Sequence, residues 1–237
     1  MSKGKLYMIP TTLGECEPSK VLPSAVKETI SNLDEFIVEN SKTARAFLKL
    51  MEIPTPQKAL KIHVLNKHTE PQEFSGFLNA CRKGKNIGLI SEAGCPGVAD
   101  PGAEITNIAH TEDIQVIPLV GPSSILLSLM ASGMCGQSFT FHGYLPIDKQ
   151  DAKRKLKELE QVSKRNHQTQ LFIETPYRNN KLLDLLFQNL QKHTKLCIAC
   201  DISLGREYIK TKTIEAWRKS KKPDLHKRPC IFLIEAE

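Results

Sequence analysis

The stretch Asn86-Ile-Gly-Leu-Ile-Ser-Glu-Ala-Gly-Cys-Pro-Gly-Val-Ala-Asp-Pro-Gly102 decides how this chain is read. It opens as an apolar strand, in the manner of strands buried on both faces of a parallel sheet. Twelve residues follow that hold three glycines, two prolines and two acids. Glycine lets backbone approach a ligand closely, and proline keeps such a loop rigid. Open α/β sheets bind ligands beyond the carboxyl ends of their strands, so this loop is a place to look for chemistry. Two other strand ends carry loops of the same kind: Pro10-Thr-Thr-Leu-Gly-Glu15 after the first strand, and Val120-Gly-Pro-Ser-Ser124 leading into an apolar helix.

Working outward, strand-like segments are expected over 5–9, 35–38, 61–65, 86–90, 115–119, 139–144, 170–174, 195–201, 208–213 and 230–235. Helical periodicity falls between them, for example over 41–51, 71–83, 123–132, 151–165 and 180–191. This alternation predicts an α/β protein with a mostly parallel N-terminal sheet. The shorter links between the last three strands predict a mixed C-terminal one. A boundary is expected in the small, glycine-containing stretch Ser132-Gly-Met-Cys-Gly136, giving domains 1–135 and 136–237.

The 237 residues carry 33 Lys+Arg and 26 Asp+Glu, a net charge of +7, and 40% are hydrophobic. That composition excludes disordered and fibrous classes. No apolar run reaches the roughly 18 residues of a membrane span. The N-terminus enters a strand without a signal-peptide core, so a soluble, cytoplasmic protein with no membrane partner is expected. Seven cysteines, an odd number in a long chain, argue against a disulfide framework. Cys197 and Cys200 form a C-x-x-C within an apolar strand. With no second Cys/His pair at zinc spacing, core cysteines and no metal site are expected.

The charge is uneven. Residues 1–137 hold 13 Lys+Arg and 14 Asp+Glu, whereas residues 138–237 hold 20 and 12. Two clusters dominate the second part: Lys153, Arg154, Lys155, Lys157, Lys164 and Arg165, then Arg218, Lys219, Lys221, Lys222, Lys227 and Arg228. Either is compatible with a solvated surface; together they point to a polyanionic partner. Dinucleotide G-x-G-x-x-G, P-loop, G-x-S-x-G and H-E-x-x-H signatures are all missing.

Taken in order, residues 6–14, 90–102, Pro-Leu-Val-Gly-Pro-Ser-Ser (118–124), Phe-Thr-Phe-His-Gly-Tyr-Leu-Pro (139–146) and Phe-Ile-Glu-Thr-Pro-Tyr-Arg (172–178) resemble the tetrapyrrole methylase superfamily. These are methyltransferases that use S-adenosylmethionine (SAM). Within the superfamily, the branch that methylates a ribose 2′-hydroxyl of small-subunit ribosomal RNA is the most similar. The resemblance implies two α/β domains with SAM in the cleft between them, usually in a homodimer. By motif it assigns the cofactor to Leu13, Gly14, Gly94, Cys95, Val98, Ser123, Ser124, Phe172 and Ile173. SAM offers a flat adenine, a sulfonium and an amino-acid end, which suit a largely apolar slot with a few backbone hydrogen bonds.

The sequence departs from that branch on the acceptor side. Thr-Pro-Ile-Gly-Asn is replaced by Thr11-Thr-Leu-Gly-Glu15, Glu-Asp-Thr-Arg by Glu39-Asn-Ser-Lys42, and Glu-Ser-Pro-His-Arg by Glu174-Thr-Pro-Tyr-Arg178. A methyl acceptor hydroxyl must lose its proton, for which a nearby carboxylate is suited. Glu174 and Glu39 are the catalytic candidates, followed by Glu92; each also fits a structural ion pair or loop cap. Lys42 and Arg178 are candidates for RNA phosphates, and His142 reads as a packed histidine. Two other functions fit the motifs: methylation of a tetrapyrrole or another small molecule, and non-catalytic RNA binding on a methylase fold.

Overall fold

The computed structural model describes residues 2–66 and 68–237, and the chain divides into two compact units after Ser123. The first is built from β1 (Lys5–Ile9), α1 (Ser24–Ser31), β2 (Glu35–Val38), α2 (Ser41–Leu50), β3 (Lys61–Val64), α3 (Pro71–Phe74), α4 (Asn79–Arg82), β4 (Ile87–Ile90), α5 (Gly102–Thr111) and β5 (Gln115–Pro118). Its strands form one sheet in the order β3-β2-β4-β1-β5, parallel throughout.

Alternation along each strand divides the core of this unit in two. Ile9, Phe36, Val38 and Ile90 face one way, onto Val26 and Ile30 of α1 and Leu48 of α2. Leu6, Met8, Ile37, Ile87 and Leu89 face the other way, onto Leu78, Cys81 and Ile105. With side chains covered on both faces, these strands read as continuous apolar runs. Gly88 is where the sheet is tightest. A Cβ there would lie 2.5 Å from Ile9 Cδ1 and 2.8 Å from Phe36 Cδ1.

The second unit holds α6 (Ser124–Ser132), β6 (Phe139–Tyr144), α7 (Lys149–Asn166), β7 (Thr169–Ile173), α8 (Asn179–Asn189), β8 (Lys195–Cys200), β9 (Tyr208–Thr213), α9 (Ile214–Arg218) and β10 (Cys230–Glu235). The sheet order is β6-β7-β10-β8-β9. The β6–β7 pair is parallel and the other pairs are antiparallel. The expected mixed C-terminal sheet is present. The expected boundary after Cys135 and the division after Ser123 differ by α6, which packs on β8, β9 and β10 of the second unit. Phe172 and Phe232 stack at the centre of the core with ring centroids 6.1 Å apart. Trp217 closes one end, donating from Nε1 to the Leu196 carbonyl at 2.8 Å.

Two departures from the expected elements have local causes. The helix expected over 71–83 is broken into α3, a 3-10 turn over Ser75–Leu78 and α4, with Gly76 inside the break. Helix α7 begins two residues before the expected 151, because Asp148 Oδ1 accepts from the backbone N–H groups of Gln150 and Asp151 at 2.8 and 3.0 Å.

Candidate functional site

Because β1 lies between β4 and β5, the three glycine- and proline-bearing loops leave neighbouring strand ends, and they are bonded to one another. The Thr11 backbone N–H donates to the Gly94 carbonyl at 2.9 Å, and Thr11 Oγ1 donates to the Ser91 carbonyl at 3.2 Å. Ser91 Oγ closes its own loop on the Gly94 carbonyl at 2.6 Å. On the other side, the Cys95 thiol points at the Pro122 carbonyl, 3.4 Å away. Gly94 adopts φ +74°, and a Cβ there would stand 3.1 Å from Leu13 Cδ2 and 3.2 Å from the Pro122 oxygen. At Gly121 a Cβ would lie 2.3 Å from Pro10 Cγ. Close approach of backbone therefore dictates both glycines. Burial raises the Cys95 thiol pKa, which lowers its share of reactive thiolate.

A cavity of about 510 Å³ opens beside these loops. Its walls are residues 11–16, the Thr43, Phe47 and Leu50 side of α2, and residues 90–93. Leu13 and Gly14, assigned to the cofactor from sequence, both line it. Its dimensions and mixed backbone and apolar lining fit a nucleoside-sized ligand. Val98 is 50% exposed at the far end of the main loop. Ser123 is the last residue of the first unit and Ser124 the first of α6.

Three carboxylates gather at the same edge. Glu39 directly follows β2, and its Oε1 accepts from the Glu92 backbone N–H at 3.4 Å. Thr43 Oγ1 donates to Glu92 Oε1 at 2.6 Å. Asp100 Oδ1 accepts from the N–H groups of Gly97 and Gly102, each at 2.8 Å, and so holds the main loop against the start of α5. Burial raises the Glu39 pKa above the ordinary carboxylate value; the charges of Asp100 and Glu92 add to this, and the Glu92 amide opposes it. Asp100 is likewise raised by burial, against the pull of its two amide donors. Sequence reasoning passed over Asp100 as a functional residue. Its signal was the Asp-Pro pair just before a helix start. Lys42 is exposed in the first turn of α2, beyond the Asn40 cap that accepts from its N–H at 2.9 Å.

The candidates of the second unit have different surroundings. Phe172 is completely buried beneath Phe232, so its ring is committed to the core and only its backbone is available to a ligand; Ile173 is half-buried. Glu174 Oε1 accepts from Arg178 Nε and Nη2 at 2.9 and 2.6 Å and from the Thr175 N–H at 2.6 Å. The expected base and the expected phosphate ligand are thus partners in one ion pair. His142 Nε2 lies 2.7 Å from Gln170 Oε1, within the β6–β7 surface.

The two basic clusters are not equivalent. In the C-terminal cluster, Arg218 donates to the Phe187 carbonyl, Lys219 pairs with Glu215, Lys222 with Asp184, and Arg228 with the buried Asp201 at 2.7 Å. These four charges are engaged by partners within the unit. Along α7, Leu156 and Leu159 are buried; Arg154 pairs with Asp151, Lys155 with Glu158, and Lys164 donates to the Glu237 carbonyl, while Lys153 and Lys157 are exposed and enter no ion pair among the described residues.

Known proteins match this chain across most of its length. Ribosomal RNA small subunit methyltransferase I of Bacillus subtilis (strain 168) is 34% identical over 187 residues, 79% of this chain and 60% of that protein. The protein of the same name from Buchnera aphidicola subsp. Schizaphis graminum (strain Sg) is 30% identical over 235 residues, 98% of this chain and 78% of its own length. The chain belongs to the ribosomal RNA small subunit methyltransferase I family. Among solved structures, the methyltransferase CobJ superposes with a TM-score of 0.64 at 15% identity, covering 98% of this chain and 94% of that one. The fold is that of the tetrapyrrole methylases. No family model matches the chain. The matched stretch makes up only three-fifths of the Bacillus protein, so the relatives extend beyond what aligns here.

Proposed function

We propose that this chain uses SAM to methylate a ribose 2′-hydroxyl in small-subunit ribosomal RNA. The observation that carries the reading is the set of three loops at the ends of β1, β4 and β5, the β4 loop bonded to both of the others, in a chain of this family. Bound there, SAM supplies an electrophilic methyl group already activated by its sulfonium. The rigid backbone of Leu13, Gly14, Gly94, Cys95, Val98 and Ser123 orients the cofactor and excludes water from it. The carboxylates of Glu39, Glu92 and Asp100 make this edge anionic, which complements a sulfonium and an ammonium.

The acceptor hydroxyl loses its proton during or after attack, and Glu39 is the carboxylate suited to receive it. Its raised pKa makes it a stronger base than an exposed glutamate, and no cation among the described residues forms an ion pair with it. Glu174 is already engaged by Arg178, so the pair serves as a fixed fork for phosphate rather than as a base. The exposed basic face of α7 supplies sequence-independent attraction for the RNA backbone.

The test is transfer of labelled methyl from SAM to total RNA from cells lacking this protein, followed by nucleoside analysis. The expected label is a 2′-O-methylnucleoside in small-subunit RNA. Label confined to small molecules, or a methylated base in place of a methylated ribose, contradicts the reading.

A further inference from the structure

A second cavity, of about 340 Å³, lies wholly within the second unit, where the start of α7 faces the start of α8. None of its lining residues belongs to the loops of the first unit. The β6–β7 pair is parallel, with Tyr144 opposite Ile173, so the two strand ends deliver their following loops side by side. The floor is apolar: Leu145 and Leu182 are buried, and Leu185 is half-buried. Ile147 stands at the rim, 80% exposed.

The polar lining is biased towards cations. Two acids face the cavity, and each is neutralised by a base of its own: Glu174 by Arg178, and Asp184 by Lys222. Lys149 and Lys181 also line it, are exposed, and enter no ion pair among the described residues. Arg178 directs Nε and Nη2 at Glu174, which leaves its Nη1 edge for an acceptor. Exposed aromatic rings flank the cavity in sequence. Tyr144, 61% exposed, precedes Leu145, and Tyr177, 68% exposed, precedes Arg178 with Lys227 Nζ 5.9 Å from its ring centroid. An apolar slot of nucleoside size with unpaired cations at its mouth, its lining adjoined in sequence by exposed aromatics, suits one nucleotide of a single strand.

We propose that this cavity anchors one nucleotide of a single-stranded segment of the RNA substrate, at a position other than the reacting one. The base lies on Leu182 and Leu185 under Ile147, and its phosphates are held by Lys149, Lys181 and Arg178. The proposal rests on the reading that the chain acts on RNA. It adds a site, built wholly from the second unit, that grips the strand.

The experiment uses the full chain and a fluorescent, uridine-rich single-stranded RNA of about 12 nucleotides, a length within the range of single-strand binding sites. Binding is followed by anisotropy across a salt series. For single strands, each phosphate contact contributes about 0.7 to the log–log salt slope, so each lysine is worth about fivefold in affinity at 0.1 M salt. K149A/K181A is expected to bind roughly 25-fold more weakly at 0.1 M salt and to flatten the slope by about 1.4. The control K20A/K58A removes the same charge from the first unit and is expected to bind as the parent does.

I147S, a change at an exposed position, is expected to weaken binding severalfold without altering the slope. A 4-thiouridine version of the same RNA is expected to crosslink to peptides containing residues 144–149 or 177–188. SAM affinity, measured by calorimetry, is expected to be unchanged in every variant. If the parent binds and methylates RNA while K149A/K181A matches the control, or crosslinks fall outside those peptides, the cavity is not the anchor and the functional reading stands. If the parent takes up SAM but binds no RNA, the functional reading falls and takes this proposal with it.

Discussion

Gly121→Ala offers a direct probe of the contact between the first and third loops. A Cβ at this position would lie 2.3 and 2.4 Å from Pro10 Cγ and Cβ and 3.2 Å from Leu22 Cδ2. Carbon atoms pack at about 3.5–4.0 Å, so relief requires the loops to separate by more than about 1 Å. The pyrrolidine ring cannot rotate out of the way as a long side chain would. Overpacking of this kind costs about 1–3 kcal/mol, which corresponds to a fall of roughly 3–12 °C in the melting temperature of a unit this size. A 1 Å displacement of a positioning loop is worth about 100-fold in rate, so methyl transfer should fall by about that factor while the fold persists. The comparison is Gly133→Ala, at φ +70° with no neighbour within 4 Å of the added methyl. It carries only the left-handed backbone strain of about 1 kcal/mol and should leave SAM affinity unchanged. Calorimetric titration with SAM on both variants decides the matter. If G121A binds SAM as tightly as G133A and the parent, the loops are not the cofactor's support and the reasoning fails.

Glu39→Gln should reduce methyl transfer at least tenfold with SAM affinity retained, and should remove an acidic limb from the pH–rate profile. That limb should lie above the ordinary carboxylate value, since burial raises Glu39 and only its ionised form accepts a proton. The same shift has a stability consequence. The contribution is fully present below the unfolded-state carboxylate value and is lost as pH rises through the raised folded value, so urea titrations of E39Q should show a flatter pH dependence than those of the parent. Asp201→Asn removes the charge that pairs with Arg228 and Arg206 at 2.7 and 2.9 Å from a fully buried position. A loss of about 3 kcal/mol is expected by urea denaturation, and a loss below about 1 kcal/mol would show that the pair is dispensable. Arg218→Ala should lower stability without changing the salt slope of RNA binding, because its guanidinium is committed to the Phe187 and Leu190 carbonyls. K153A/K157A on α7 should do the opposite, flattening the slope by about 0.7 for each lysine that meets a phosphate.

Much of the fold is written in local pattern. The inner strands β2 and β4 of the first unit are buried throughout and read as apolar runs, and Phe36, Ile37 and Val38 needed no tertiary information to be placed. The loops at the ends of β1, β4 and β5 were visible because glycine and proline punctuate them. That they touch became evident only with the strand order, which puts β1 between the other two. The side-chain partners were not legible. Glu174 and Arg178 sit four residues apart, yet nothing local distinguishes an ion pair from a separate base and phosphate ligand. The C-terminal basic cluster looked free because its acceptors, the Phe187 carbonyl, Asp184 and Asp201, lie 27 to 38 residues distant in the chain. Lys149 and Lys181 escaped notice for the converse reason: they belong to different helices, and only the parallel β6–β7 pair brings those helix starts together.

Support of the methyl donor by the three bonded loops of the first unit is the proposal on which the rest depends. A crystal structure of the chain with S-adenosylhomocysteine tests it most directly. The product is expected against the backbone of Leu13, Gly14, Gly94, Cys95 and Val98, with Gly121 still packed on Pro10. Product bound away from these loops, or none bound at saturating concentration, would contradict it.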